Sequence, residues 1–169
     1  LSAFFFGIIA VVVTYLLSRS YRRKQTLILV LSGIIVGAFF SALISLTKYV
    51  ADPYEKLPAI TFWLMGSLAT VRMTDLFMVA PPLLAAAGIL LLIRWRINIL
   101  AIGDDEAMAL GMDTKRMAQI IIICSTLITA SAVCIAGIIG WVGLVVPHLG
   151  RMITGPDYKR LLPVTFVLG

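Results

Sequence analysis

Asp104, Asp105 and Glu106 stand consecutively in a chain with only eight acidic residues in all. Three carboxylates are raw material for a divalent-metal site. Consecutive residues on a helix point in different directions, however, so they do not converge on one ion. In the first turn of a helix the same acids have another use, because they complement the positive end of the helix dipole. Gly103 breaks the chain ahead of them and Asp104 can cap the turn. Gly111 can close the short helix as a left-handed C-cap, and Asp113 can cap the helix that follows. His148 is the only histidine. A lone histidine beside a helix end is more often a packed residue than a catalyst. Cys124 and Cys134, ten positions apart in one apolar run, fit neither a metal site nor a disulfide framework and read as free thiols. The sequence has no Gly-x-Ser-x-Gly, no His-Glu-x-x-His and no Gly-Lys-Ser/Thr phosphate loop. It carries no catalytic set and no nucleotide-binding loop of its own, so any ATP used must be bound by another subunit.

The elements that position these residues are membrane helices. Apolar residues make up 61% of the chain, charged residues 13%, and mean hydropathy is +1.06. A soluble domain is nearer a quarter charged. The runs Leu27–Thr47, Leu76–Ile93 and Met117–Pro147 contain no Asp, Glu, Lys or Arg. Each is long enough to cross a hydrocarbon core about 30 Å thick. Leu1–Leu17 reads as a further span; it has neither the charged start nor the cleavage site of a secretory signal. Ile60–Gly66 is too short to cross, and its Trp63 suits a short interfacial helix. The net charge of +6 gathers at span ends, which marks topology anchors and argues against nucleic acid.

Charge then orients the spans. Ser18–Gln25 holds Arg19, Arg22, Arg23 and Lys24 without an acid and is expected on the cytoplasmic side. Lys48–Pro58 falls outside, and Leu76–Ile93 returns inward to Arg94, Trp95 and Arg96. The Ile97–Asp113 insert is therefore cytoplasmic, with Lys115 and Arg116 anchoring the next span on the same side. Counting onward puts His148–Arg160 outside, despite Arg151, Lys159 and Arg160. Met117–Pro147 would measure about 46 Å as one straight helix, more than a single crossing needs. Its surplus coincides with Gly137, Gly140 and Gly143, three apart. At that spacing they line one helical face for close helix contact, or let the chain unwind near Pro147.

The capped insert alone does not account for Ile97, Ile99, Leu100, Ile102, Met108 and Leu110 on a water-facing loop. Apolar groups exposed in this way mark a partner surface, as in the membrane part of a machine driven by a soluble subunit.

Three blocks carry a resemblance to a known family: ITFWLMGSL at 60–68, INILAIGDDEAMALGMD at 97–113, and AGIIGWVGLVVPHLGRMITGPDYKRLLPVTFVLG at 136–169. The chain resembles the FecCD-type permeases of bacterial ABC importers, which take up iron–siderophore complexes, haem and vitamin B12. The third block is the most specific, with Gly-x-Val-Gly-Leu-x-x-Pro-His, then Arg, then Leu-Leu-Pro. The likeness covers essentially the whole chain. It implies an all-α, polytopic transmembrane helical bundle of the type II ABC importer class. Such permeases have about ten spans of roughly 20 apolar residues each, so the chain is expected to be one permease domain (1–169) from a longer protein.

The resemblance further implies a permease dimer enclosing a path at its interface, and an ATPase subunit that holds the ATP and magnesium. It also implies a soluble substrate-binding protein outside and a place in the bacterial cytoplasmic (inner) membrane. The family's pair of coupling helices matches Ile97–Ala101 and Asp104–Leu110. Ile97, Leu100, Gly103, Asp104, Asp105, Glu106, Ala107, Leu110 and Gly111 are thus the expected ATPase contacts. Lys24, Gln25 and Thr26 match the family's cytoplasmic gate. Pro147, His148 and Arg151 are expected at the outer face, where a basic loop would suit acidic docking residues of the binding protein. The resulting reading is a permease, itself no enzyme, that moves a metal chelate inward. An ion-coupled secondary transporter is the alternative, but it needs intramembrane charges, and the three clean runs have none. An intramembrane enzyme would need a Ser/His or metal set.

Overall fold

The computed structural model describes residues 2–19, 25–67, 71–138 and 142–169. Among them every regular element is helical: α1 (Ser2–Arg19), α2 (Gln25–Val50), α3 (Lys56–Met65), α4 (Met73–Leu100), α5 (Asp104–Ala109), α6 (Thr114–Ala136), α7 (Val142–Thr154) and α8 (Tyr158–Leu168). Three stretches are long and apolar enough to cross a membrane, namely Leu27–Val50, Met73–Leu100 and Thr114–Ala136. Leu27–Thr47 and Leu76–Ile93 were expected as spans, and each extends by several residues. Within α1, Phe4–Ser18 is a shorter apolar helix.

The pattern of burial is that of a lipid-facing protein. Buried apolar positions are mostly small: Ala86, Ala87, Ala107, Cys124, Ala130 and Ala136. Large apolar side chains such as Leu31, Ile34, Phe39, Phe77 and Leu92 point outward. Lipid tails are as apolar as leucine, so small residues that let backbones approach are what helices gain by turning toward each other. Threonine and serine hydroxyls inside the helices mostly donate back to the preceding turn, as Thr14 does to the Ala10 carbonyl and Thr126 to Ile122. That satisfies them without water.

The helices gather into two compact units. In the first, α1 packs on α2, with Ser18, Ser32 and Val36 buried. The Asp52 carboxylate accepts from the Tyr54 and Glu55 amides at 2.8 and 3.1 Å, turning the chain into α3. α3 is the short helix expected from Ile60–Gly66, begun four residues earlier and carrying Pro58 in its first turn, where a missing N–H costs nothing. It ends at Gly66, whose φ is +71°. The 133–138 segment belongs to this unit, and the Ser67 amide donates to the Ala136 carbonyl at 2.9 Å.

In the second unit, α8 packs on both α4 and α7, and α5 packs on α4. The run Met117–Pro147 is not one helix. α6 stops at Ala136, and Gly137 takes φ +75°. Pro147 does not break anything; it lies inside α7. The three glycines therefore do not share one helical face. Gly137 ends α6, Gly140 lies outside the described residues, and Gly143 sits in α7, where a Cβ would meet no atom within 4 Å. Of the two described, Gly137 is in tight contact: a Cβ there would stand 2.5 Å from the Trp63 carbonyl oxygen and 2.9 Å from Gly66 Cα.

Candidate coupling site

α4 runs for 28 residues, about 42 Å at 1.5 Å per residue. That exceeds a hydrocarbon core of about 30 Å, so the helix is longer than one straight crossing needs. Ile97–Leu100, expected as part of a separate short helix, is the final part of α4. The reason is local: nothing between Arg94 and Leu100 breaks the backbone, and Gly103 is the first residue that does. Gly103 takes φ +151° at the start of α5. That backbone conformation is what favours glycine there; the Glu106 carboxylate lies beside it.

Asp104 does not cap α5 by its side chain; it occupies the first helical position, with Gly103 at the N-cap. Asp104, Asp105 and Glu106 fill the first turn and are all exposed. At the other end, Gly111 has φ +80°. Its amide donates to the Met108 carbonyl at 2.9 Å, and the Met112 amide to Ala107 at 3.0 Å. This pair of bonds is the Schellman closure that glycine favours. Asp113 caps α6, its carboxylate accepting from the Arg116 amide at 3.1 Å.

Burial shows which face of α5 looks outward. Ala107 is fully buried against the unit, while Ile102, Met108 and Leu110 are more than half exposed. Ile97, Ile99 and Leu100 are half-buried. The insert thus presents an apolar triplet beside an acidic edge, held at the end of α4.

The loop after α7 sits at this same end of the second unit. The Asn98 amide nitrogen donates to Asp157 Oδ1 at 2.6 Å, and the Tyr158 amide donates to Asn98 Oδ1 at 2.7 Å. Arg94 Nη1 donates to the Lys159 carbonyl at 3.1 Å. Arg151 Nη2 donates to the Tyr158 hydroxyl at 2.9 Å, with its guanidinium 5.8 Å from that ring's centre. This corrects the outer-face expectation for Pro147, His148 and Arg151. Arg151 lies at the end of the unit that holds Arg94 and Asn98, on the side that charge assigns to the cytoplasm. His148 and Pro147 lie about one turn before it in α7. The error came from treating Met117–Pro147 as one crossing. α6 ends at Ala136, so a count that takes Met117–Pro147 as one crossing does not carry through to Arg151, Lys159 and Arg160.

Asp157 also caps α8, accepting from the Lys159 amide at 2.9 Å. That bond, the Asn98 amide, and the Lys159 and Arg160 charges hold its carboxyl below the usual carboxylate range. Gly150 makes the close α7–α8 approach possible: a Cβ would stand 2.6 Å from Thr165 Cγ2 and 3.0 Å from Leu161 Cδ1. Of the expected gate residues, Lys24 lies outside the described residues, and Gln25 and Thr26 open α2. Sequence reasoning missed Asn98 and Gly150. Asn98 carries a signal, being the one uncharged polar residue in an otherwise apolar helix end, INIL.

Known proteins resemble this chain along its length. The model of the FecCD transport family matches residues 1–169. The molybdate import system permease protein MolB of Haemophilus influenzae is 41% identical over 168 residues, 99% of this chain and 50% of its own length. The cobalamin import system permease protein BtuC of Halobacterium salinarum is 33% identical, covering 99% of this chain and 45% of that protein. The hemin transport system permease protein HmuU of Yersinia pestis is 34% identical over 135 residues, 80% of this chain and 40% of its own. A solved structure described as a putative metal-chelate type ABC transporter in an inward-facing conformation superimposes with a TM-score of 0.90 at 41% identity, covering 98% of this chain and 52% of that one. The chain spans about half the length of the curated relatives it matches. With the family's pattern matched from the first residue to the last and a solved structure superimposed over nearly all of it, the chain belongs to the FecCD transport family.

Proposed function

We propose that this chain is the membrane-spanning permease part of an ATP-binding cassette importer, one that moves a metal chelate inward. It would work in the bacterial cytoplasmic membrane, within a longer permease that pairs with a second permease subunit. ATP and magnesium are held by a separate ATPase subunit, and a soluble binding protein delivers the substrate outside. The observation that carries this reading is α5. It is a capped helix at the end of a long span, with Ile102, Met108 and Leu110 exposed beside Asp104, Asp105 and Glu106. Apolar side chains gain by burial against a soluble partner, and the acids steer a basic one.

Mechanically, α4 has no break from Met73 to Leu100 apart from the Pro81–Pro82 pair, which removes two backbone donors within the span. A push on α5 therefore reaches the membrane as a displacement of a stiff rod, with the proline pair as the place where bending costs least.

Copurification tests this reading. The full-length protein should bring down an ATPase subunit, and Leu110→Asp should weaken that association while leaving the permease folded. A full-length protein that never binds an ATPase contradicts it.

A second reading of the substrate is favoured by one observation. The molybdate permease shares 41% identity with this chain, against 33% and 34% for the cobalamin and hemin permeases. The cargo would then be a small metal oxyanion. Uptake by the reconstituted transporter, compared between molybdate and a ferric chelate, separates the two.

A further inference from the structure

Asn98 bonds two adjacent residues, Asp157 and Tyr158, that lie 59 and 60 positions away, and it uses both ends of its carboxamide to do so. Its nitrogen faces an acceptor-only carboxylate and its oxygen faces a backbone N–H, so the amide has a single orientation that satisfies both partners. Arg94, one turn earlier, reaches the carbonyl of Lys159. Arg151 draws in the Tyr158 ring from α7. Apolar helix faces slide over one another at little cost, whereas directional hydrogen bonds fix their register. Asn98 lies two residues before the end of α4, and α5 begins at Asp104 and packs back on α4.

We propose that Asn98 is a positioning residue that ties the end of α4, and the α5 insert with it, to the α7–α8 turn, so that movement of α5 is passed on to α7 and α8. The proposal rests on the reading of α5 as the ATPase contact. Loss of the clasp leaves α5 able to engage its partner but leaves α8 behind. ATP is then hydrolysed with less transport.

The test uses the full-length permease with its ATPase in liposomes, reading ATP hydrolysed per substrate taken up, ATPase copurification and melting temperature. Asn98→Asp sets two carboxylates against each other and opens the clasp. The ratio should rise about five-fold or more, the lower end of ordinary coupling between sites, with the ATPase still bound. The double swap, Asn98→Asp with Asp157→Asn, rebuilds the bond between the two side chains but not the Lys159 bond, because Asp157 Oδ1 accepts from both Asn98 and the Lys159 amide. The carboxylate introduced at position 98 would accept from the new amide at position 157 and from the Tyr158 N–H. With its NH2 turned toward position 98, the amide at position 157 leaves the Lys159 N–H to water. The swap should bring the ratio back toward the wild-type value, since the side-chain link is rebuilt. Should Asn98→Asp fail to fold, Asn98→Ala replaces it, because an exposed Asp157 left alone is simply hydrated; the ratio should rise there too. An unchanged ratio with the ATPase bound overturns the proposal alone, as does a folded swap whose ratio is no lower than that of Asn98→Asp. A wild-type permease that binds no ATPase overturns the underlying reading, and this proposal with it.

Discussion

Two glycines, Gly137 and Gly150, occupy places that no other residue tolerates well, and they do so for different reasons. Gly137 combines φ +75° with a contact that a Cβ would violate. Gly137→Ala should lower stability in detergent by about 1–3 kcal/mol, the usual cost of overpacking, read as a fall in melting temperature. Gly150 is an ordinary helical residue whose space is taken by Thr165 and Leu161. Gly150→Leu should separate α7 from α8 and lower stability by at least as much, about 1–3 kcal/mol. Asp157 gives a pH signature. Its folded pKa is depressed by the Lys159 amide, Asn98 and neighbouring positive charge. A depressed carboxylate contributes stability above its unfolded pKa of about 3.9, lost as pH falls through the lower folded value. The melting-temperature gap between wild type and Asp157→Ala should be full near neutrality and shrink below about pH 4. A gap that does not change with acidification would show that the carboxylate charge contributes nothing.

At the scale of elements, the sequence is most legible where one physical rule acts alone. Charge-free apolar runs announce α2 and α4, and the caps Gly111 and Asp113 bracket α5 and α6 as their types suggest. It is least legible where two rules compete. From Met117 to Pro147 hydropathy is continuous, so a count of apolar residues does not show the break. The surplus length and the glycines allow an unwinding, and its place at Gly137 goes with that residue's positive φ and its contact with Gly66 and Trp63. The charges at Arg151, Lys159 and Arg160 pointed to the Arg94 side, and the span count overrode them. Ile97–Leu100 reads as a loop helix beside Arg94 and Arg96, yet backbone continuity makes it the end of α4. Asn98 and Asp157 meet through tertiary packing, which no local pattern encodes. The corrected orientation makes a direct prediction. A cysteine introduced at Thr154 should react with a membrane-impermeant reagent only after intact spheroplasts are broken, as should one at Asp105. Reaction at the first position in intact spheroplasts would separate that loop from the Arg94 end.

For the whole molecule, the parts form a consistent order. Small buried residues and outward-facing large ones suit helical units embedded in lipid. A 28-residue helix carries a capped, apolar and acidic element at its end, and a polar clasp links the end of that helix to the α7–α8 turn. On the proposed function, energy supplied at α5 would travel inward along α4 with no charge needed within the apolar runs. The most direct test is uptake by the full-length protein and its ATPase in liposomes, with ATP offered on one face at a time and ion gradients collapsed by an ionophore. Uptake should require ATP on the face bearing α5 and persist without any gradient. Uptake that ignores ATP and vanishes with the gradient would contradict the account.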